Sequence, residues 1–269
     1  MSTVARLSTT NQSAHWYLPD GTPFFEVPYA DKARAGQMRP VTLRDARKVN
    51  ALPSVTTVLR VLAKPELFAW QVEQAVLAVM TTPRNDGEAD DAFVHRVLAV
   101  EKVHEQERDA AADLGTRIHA ACAEGVSGGP VVDDLAYQYA REAIASMSCR
   151  GRVHATETVL VGDGYAGMTD LVLETQDGLL VVDWKTTKRL PAKAWPDHVM
   201  QLSAYAAALA RDNARKTIRT ANCYISTSPE EVGKWRWCEH ETDWREVYHD
   251  GFVPALRLWQ YVNQYKPNE

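Results

Sequence analysis

The sequence predicts an α/β fold: a central mixed β-sheet flanked by helices, with a helical elaboration at the N-terminal side. Three observations carry that reading. Apolar residues recur at helical spacing through 65–80, 91–124 and 134–148, the pattern of helices with one buried face. The texture changes near residue 153, where HATETVLVG, GMTDLVLET and GLLVVDWKT are short and each bounded by glycine or turn residues, as strands are. Helical period then returns over 194–212, before two more strand-like stretches and a closing helix over 242–262. Helices, three strands, a helix, one or two strands and a helix make an α/β domain with a mixed sheet.

Taken in order, the first 50 residues are irregular, and LPDGTP (18–23) is a turn signal between short apolar stretches, suited to a small hairpin or an extended arm. LPSVTTVLRVL (52–62) reads as a short helix capped by Ser54, and Pro65 opens the next one. TPRNDGEADD (82–91) is a polar, acidic loop, and the long helix after it runs to about 124, with Gly125 as its stop. RTANCYISTS (219–228) and GKWRWCE (233–239) are the later strands. The expected division is an arm and helical elaboration over 1–109 packed on a core over 110–269.

Composition sets bounds. The chain has 269 residues, 45% hydrophobic content and a formal charge of −5, which suits one large domain or one domain with a helical elaboration. Net acidity leaves nucleic-acid binding open, because binding depends on a local basic patch. Cys122, Cys149, Cys223 and Cys238 form no CxxC pair and read as reduced thiols of a cytoplasmic protein. No apolar run reaches membrane-spanning length, and the first 21 residues lack the apolar segment of a signal peptide.

The chemistry concentrates in two neighbouring strands. Asp177-Gly178 is a good hairpin centre. Residue 176 then pairs with 179, 172 with 183 and 170 with 185. Asp170, Asp183 and Lys185 project to one face, with the two carboxylates diagonal and roughly 7–8 Å apart at the backbone. Leu171, Leu173, Val182 and Trp184 project to the other. Two carboxylates sharing a space repel unless a cation or proton intervenes, and magnesium takes oxygen ligands of this kind. A neighbouring lysine stabilises negative charge developing on a phosphate. The same three charges also suit an ion pair on a solvated sheet face.

GMTD (167–170) followed by VVDWKTTK (181–188) resembles the PD-(D/E)xK nuclease signature, in the form found in RecB-like exonucleases. LGTRIH (114–119) is similar to that family's G-T-x-x-H helix, and QLSAY (201–205) to its Q-x-x-x-Y motif. LPSVTTVL (52–59) is similar to a segment of phage and prophage nucleases and of the mitochondrial genome maintenance exonuclease. The resemblance implies a restriction-endonuclease-like core and a Mg2+ or Mn2+ site held by His119, Asp170, Asp183 and the backbone carbonyl of Trp184, with Lys185 catalytic. His119 read alone also suits a core histidine. The family often has an acid on the first strand, where Glu157 stands; the loop GDGYAG (162–167) leaves its facing open. Gln201 and Tyr205 share a helix face and either contact DNA or buttress the site. Relatives with an iron–sulfur cluster use three cysteines clustered near the C-terminus; Cys223 and Cys238 have no such third partner, so no cluster is expected.

Three basic clusters are candidates for a phosphate-tracking groove: Lys188, Arg189 and Lys193 after the lysine strand; Arg141, Arg150, Arg152 and His154 before the sheet; and Arg211, Arg215, Lys216 and Arg219. Phe68 and Trp70 are candidates for stacking on bases. The expected activity is an end-dependent DNA exonuclease favouring single strands, in recombination or repair, with a recombinase or single-strand-binding protein as the expected associate and no membrane partner. Two rivals stand beside it. One is a structure-specific or restriction-like endonuclease on the same core. The other is a catalytically silent DNA-binding module, which would have no need of two repelling carboxylates beside bound phosphate.

Overall fold

The computed structural model describes residues 15–62, 65–130, 133–213 and 216–267, except for side chains in parts of the helices near 65–74 and 98–112. Arg215 and the side chains of Phe68 and Trp70 lie outside the described residues. The chain forms two compact units: Met1–Val61 with Arg117–Glu269, and Leu62–Thr116.

In the first unit, β1 (Trp16–Tyr17) pairs with β4 (Leu52–Pro53), and β2 (Glu26–Pro28) with β3 (Met38–Pro40). The LPDGTP segment is a turn closed by the Thr22 carbonyl and the Leu18 N–H at 2.8 Å. After a short α1 (Leu43–Lys48), α2 (Val55–Leu59) starts where the Ser54 hydroxyl accepts the Thr57 N–H at 3.0 Å, a side-chain cap for an otherwise orphaned donor. Tyr17 and Leu52 pack against Ala166, which ties this segment to the sheet.

The second unit holds α3 (Pro65–Thr81) and the first part of α4 (Asp90–Val126). The helix does not stop at Gly125, as expected, but runs through it to Val126. A Cβ at Gly125 would lie 2.8 Å from the Ile144 side chain. This glycine therefore serves a close helix–helix approach, while Gly128, at φ +71°, follows the helix end in the left-handed conformation. Ile144 lies on α5 (Asp134–Met147), capped by the Asp133 carboxylate.

The sheet has the order β5 (Arg152–Val161), β6 (Ala166–Thr175), β7 (Gly178–Thr187), β8 (Thr217–Ser226), β9 (Trp235–Glu239). All neighbours are antiparallel except β7 and β8, which are parallel and joined by α6 (Pro196–Asp212), because a parallel pair needs a crossover. Helix α6 packs on β5, β7 and β8, and α5 on β8 and β9. Leu179 to Trp184 are accordingly buried without a break, as in a strand covered on both faces. This five-stranded mixed sheet flanked by helices is a restriction-endonuclease-like core.

The hairpin register is a correction. Thr175 pairs with Gly178, so Gln176 and Asp177 form the turn and every pairing moves by two from the expected one. Gly178 is needed elsewhere: it has φ +144°, and a Cβ there would strike the Thr217 carbonyl at 2.1 Å. It admits β8 alongside β7 instead of sitting at the turn centre. The closing helix is also not continuous. A π-helical turn at Tyr248–Phe252 separates α7 (Trp244–Val247) from α8 (Val253–Asn263), at Pro254, whose missing N–H cannot continue the α ladder.

Candidate active site

Strands β6 and β7 are paired from Thr175–Gly178 to Leu171–Val182, where their ladder ends, while β6 stays with β5 and β7 with β8. Carried one step further, the register sets Asp170 directly opposite Asp183, not diagonal to it. The N–H of Trp184, released from that ladder, is taken by the Asp170 carboxylate at 2.8 Å. The observed pairing differs from the expected one by two residues, an even step, so Asp170, Asp183 and Lys185 keep one facing. The strand fork gathers them.

His119, in the last turns of α4, brings Nδ1 to 3.5 Å from Asp170 Oδ2, with its side chain one-third exposed. Burial pulls its pKa down, but the Asp170 charge and hydrogen bond outweigh burial and hold it above the ordinary value. Burial likewise raises Asp170, and His119, Lys185 and the Trp184 N–H more than reverse it. Asp183 goes the other way. Burial and the repulsion of Asp170 raise its pKa despite Lys185. Paired carboxylates in one site divide in this manner, one held ionised and the other pushed towards protonation.

Asp183 is 2% exposed and held from all sides. Lys185 Nζ lies 2.7 Å from its Oδ2. The Gln201 amide donates to Oδ1 at 3.1 Å and the Asn222 amide to Oδ2 at 3.1 Å. Gln201 also donates to the Tyr205 hydroxyl at 3.1 Å. Both residues are buried, at 6% and 3% exposure, leaving little surface for a nucleic acid; of the two roles open to them, their contacts fit the buttress. Tyr205 in turn fills the space beside Gly167, where a Cβ would meet its ring at 2.7 Å.

Asn222 and His240 escaped sequence reasoning. The Asn222 amide donates to Asp183, so its carbonyl faces His240 Nε2 at 2.9 Å and must accept from it. His240 Nδ1 is left to accept the Thr220 hydroxyl at 2.9 Å. Burial lowers the His240 pKa to about 4 against the pull of Glu239, so the ring is neutral near pH 7 and Nδ1 is free to accept from Thr220. The only sequence signal was an asparagine within an apolar strand, unreadable until β8 is placed beside β7.

Glu157 stands between Thr156, paired with Leu171, and Thr158, paired with Thr169, which puts it opposite Asp170 on β5. Its φ is +44°, costly for a residue with a Cβ. Its pKa is raised by burial and by Asp170. Glu157 is therefore electrostatically linked to Asp170.

The basic clusters separate. Arg152 and Lys216 both pair with Glu174, Arg219 with Glu239 and Arg141 with Glu142, while Arg150 lies 4.1 Å above the Trp237 ring. Arg219 and Arg141 are thus each matched by a carboxylate, and Arg152 and Lys216 share one. Lys216 and Arg219 also lie at the β8 end away from Asp183. Lys188, Arg189 and Lys193 are exposed beyond the lysine end of β7, and none takes part in an ion pair among the described residues.

Among the described residues, no three His, Cys, Asp or Glu side chains already converge as a metal centre. The donor set nonetheless fits a hard divalent cation: one imidazole nitrogen and two facing carboxylates whose repulsion a cation would relieve. Cys122 and Cys223 are buried and their thiols are pushed up by that burial. No helix among the described residues is long and apolar enough to cross a membrane.

A search among curated proteins finds no match. A solved structure described as "Crystal structure of SSO0001" is similar over 54% of this chain and 74% of its own, at 16% identity and a TM-score of 0.28. That likeness is too distant to bear on function. A profile of the PD-(D/E)XK nuclease superfamily matches residues 93–250, more than half of the chain and the whole of the site just described. With the two aspartates and the lysine at the strand fork inside that match, the chain belongs to the PD-(D/E)XK nuclease superfamily.

Proposed function

We propose that this nuclease is a Mg2+- or Mn2+-dependent DNA exonuclease of the RecB-like group, acting from a free end and favouring single strands, in recombination or repair. The observation that carries the chemistry is the Asp170–Asp183–Lys185 arrangement at the fork, with His119 against Asp170. His119, Asp170, Asp183 and the Trp184 carbonyl would hold the cation, with Glu157 as a further candidate carboxylate. A bound Mg2+ or Mn2+ lowers the pKa of a coordinated water and neutralises charge on the scissile phosphate. Lys185 stabilises the negative charge that grows on the phosphate oxygens during attack. Gln201, Tyr205 and Asn222 hold Asp183 in place, and Lys188, Arg189 and Lys193 track the DNA backbone, so binding weakens steeply with salt.

The role of His119 has its own test. His119→Ala should weaken Mn2+ binding by more than the roughly 10–100-fold typical of losing an outer partner. The melting temperature in chelator should stay within a few degrees of the native value, since the side chain is one-third exposed. A large fall in that melting temperature with unchanged Mn2+ affinity would make it a core histidine instead.

End-dependence rests on the G-T-x-x-H and Q-x-x-x-Y motifs and on the helical unit Leu62–Thr116 that immediately precedes His119 in the chain. In the resembling exonucleases, helices at this point roof the groove, and a strand with an end threads beneath. End-labelled linear single strands should be degraded and covalently closed single-stranded circles left intact. Efficient cutting of circles would promote the endonuclease reading.

A further inference from the structure

We infer that Trp195, backed by His198 and Tyr224, is a stacking platform for a nucleobase of the single DNA strand, next to the phosphate at Lys185. The inference rests on the nuclease reading for the identity of its ligand and deepens it by naming a base-binding position.

The Trp195 backbone carbonyl accepts the first helix N–H groups, from His198 at 3.0 Å and Val199 at 3.1 Å, but its side chain does nothing for the helix. Trp195 is the N-cap of α6, and its side chain makes no cap hydrogen bond, although Ser, Thr, Asp or Asn at this place would satisfy a helix donor. The indole is 44% exposed. An uncapped helix start and an exposed tryptophan are two local disadvantages at one position.

The ring is nevertheless held in place. Its own backbone N–H donates to the Tyr224 hydroxyl at 3.2 Å, and that hydroxyl also lies 2.9 Å from His198 Nδ1. The Trp195 ring meets Tyr224 edge-on at 5.7 Å and His198 at 5.1 Å, and His198 stacks on Tyr224. Tyr224 is fully buried and fixes the cluster to the sheet. The result is a partly exposed indole braced by two further rings, the kind of fixed aromatic surface that base stacking uses.

Its position is set by register. Tyr224 is the β8 partner of Lys185, and Arg236 on β9 is the next in that row. Paired residues share a facing, and neighbouring strands are about 4.8 Å apart. The aromatic cluster is thus one strand away from the lysine, within reach of a nucleotide adjoining the scissile phosphate. The loop that leads into Trp195 carries Lys188, Arg189 and Lys193, exposed and without ion pairs among the described residues. Cations for the backbone beside an aromatic face for the bases are the two elements of sequence-tolerant single-strand binding. Every base has such a face, so the platform suits an enzyme that must accept any sequence.

The test is binding in chelator, where no hydrolysis occurs. The intact protein, Trp195→Asn and Trp195→Phe are titrated with an oligo-dT strand and with an abasic strand of equal length. Trp195→Asn should lose about ten-fold or more in affinity for oligo-dT and bind the abasic strand as the native protein does. Trp195→Phe should recover most of the loss. Asparagine supplies the missing cap, so the melting temperature should not fall enough to unfold the variant at the assay temperature. Native affinity for oligo-dT in Trp195→Asn, or an equal loss on both strands, would overturn the platform. Hydrolysis of oligo-dT by the native protein in Mg2+ is measured separately. Cleavage without base-dependent binding would remove the inference and leave the nuclease reading; base-dependent binding without cleavage would do the reverse; neither would remove both.

Discussion

Lys185→Ala is expected to lose DNA hydrolysis by roughly 10²–10³-fold or more while binding Mn2+ at least as tightly as the native protein. The two halves of that result come from one contact. In the structure, Lys185 Nζ lies 2.7 Å from Asp183 Oδ2, occupying an oxygen that a cation would share. Removing the ammonium frees that oxygen and takes away a repulsive positive charge, so metal affinity should hold or rise. In the proposed mechanism the same ammonium offers charge to the transition state, so turnover should collapse. Asp170→Asn should behave differently. It removes the carboxylate whose charge answers His119, and it should lose both metal binding and hydrolysis. Its metal-free fold should be somewhat less stable, because His119, Lys185 and the Trp184 N–H hold the ionised Asp170 more strongly than burial opposes it. Calorimetric Mn2+ titration beside hydrolysis of an end-labelled strand separates the two variants. Retained hydrolysis in Lys185→Ala, or native Mn2+ affinity in Asp170→Asn, would break the assignment of roles.

The fold class and the three central charges were legible because both depend on short-range pattern. Period two in GMTDLVLET and GLLVVDWKT fixes the facing, and parity survives a register error of two residues. The turn itself was misread because Gly178 looked like a turn residue, while its lack of a Cβ is used against the Thr217 backbone. Gly125 failed for the same reason: a helix-stop residue was in fact a packing residue against Ile144. Close approach between elements distant in sequence leaves no local mark. The same holds for the environment of Asp183. Asn222 is 39 residues away and His240 lies on from the far edge strand, and only the strand order β7-β8-β9 brings them to it. The basic clusters show the converse limit. Sequence counts cations, but Glu174, Glu239 and Glu142 decide which remain uncompensated.

The donor chain from Thr220 through His240 and Asn222 to Asp183 should make the protein's stability fall in mild acid. Burial holds His240 neutral, with a folded pKa of about 4 against about 6.5 in the unfolded chain. Between those values the unfolded state takes up a proton that the folded state refuses. Stability from this group is therefore complete above about pH 6.5 and is lost as pH falls towards 4, by about 3 kcal/mol at most. His119 and Asp183, both raised, act in the opposite sense, so the measurement is a difference. Urea unfolding in chelator across this range should show His240→Gln losing less stability than the native protein as pH falls from about 6.5 to 4. Glutamine keeps a donor within reach of the Asn222 carbonyl, so Mn2+ affinity at neutral pH should be nearly preserved. Asn222→Leu removes the link altogether and leaves Asp183 to Lys185 and Gln201; Mn2+ affinity should then fall by roughly 10–100-fold, the usual cost of losing a group that orients a ligand. An unchanged pH slope in His240→Gln would show that the ring is not held neutral. Native Mn2+ affinity in Asn222→Leu would show that Asp183 does not depend on β8 for its orientation.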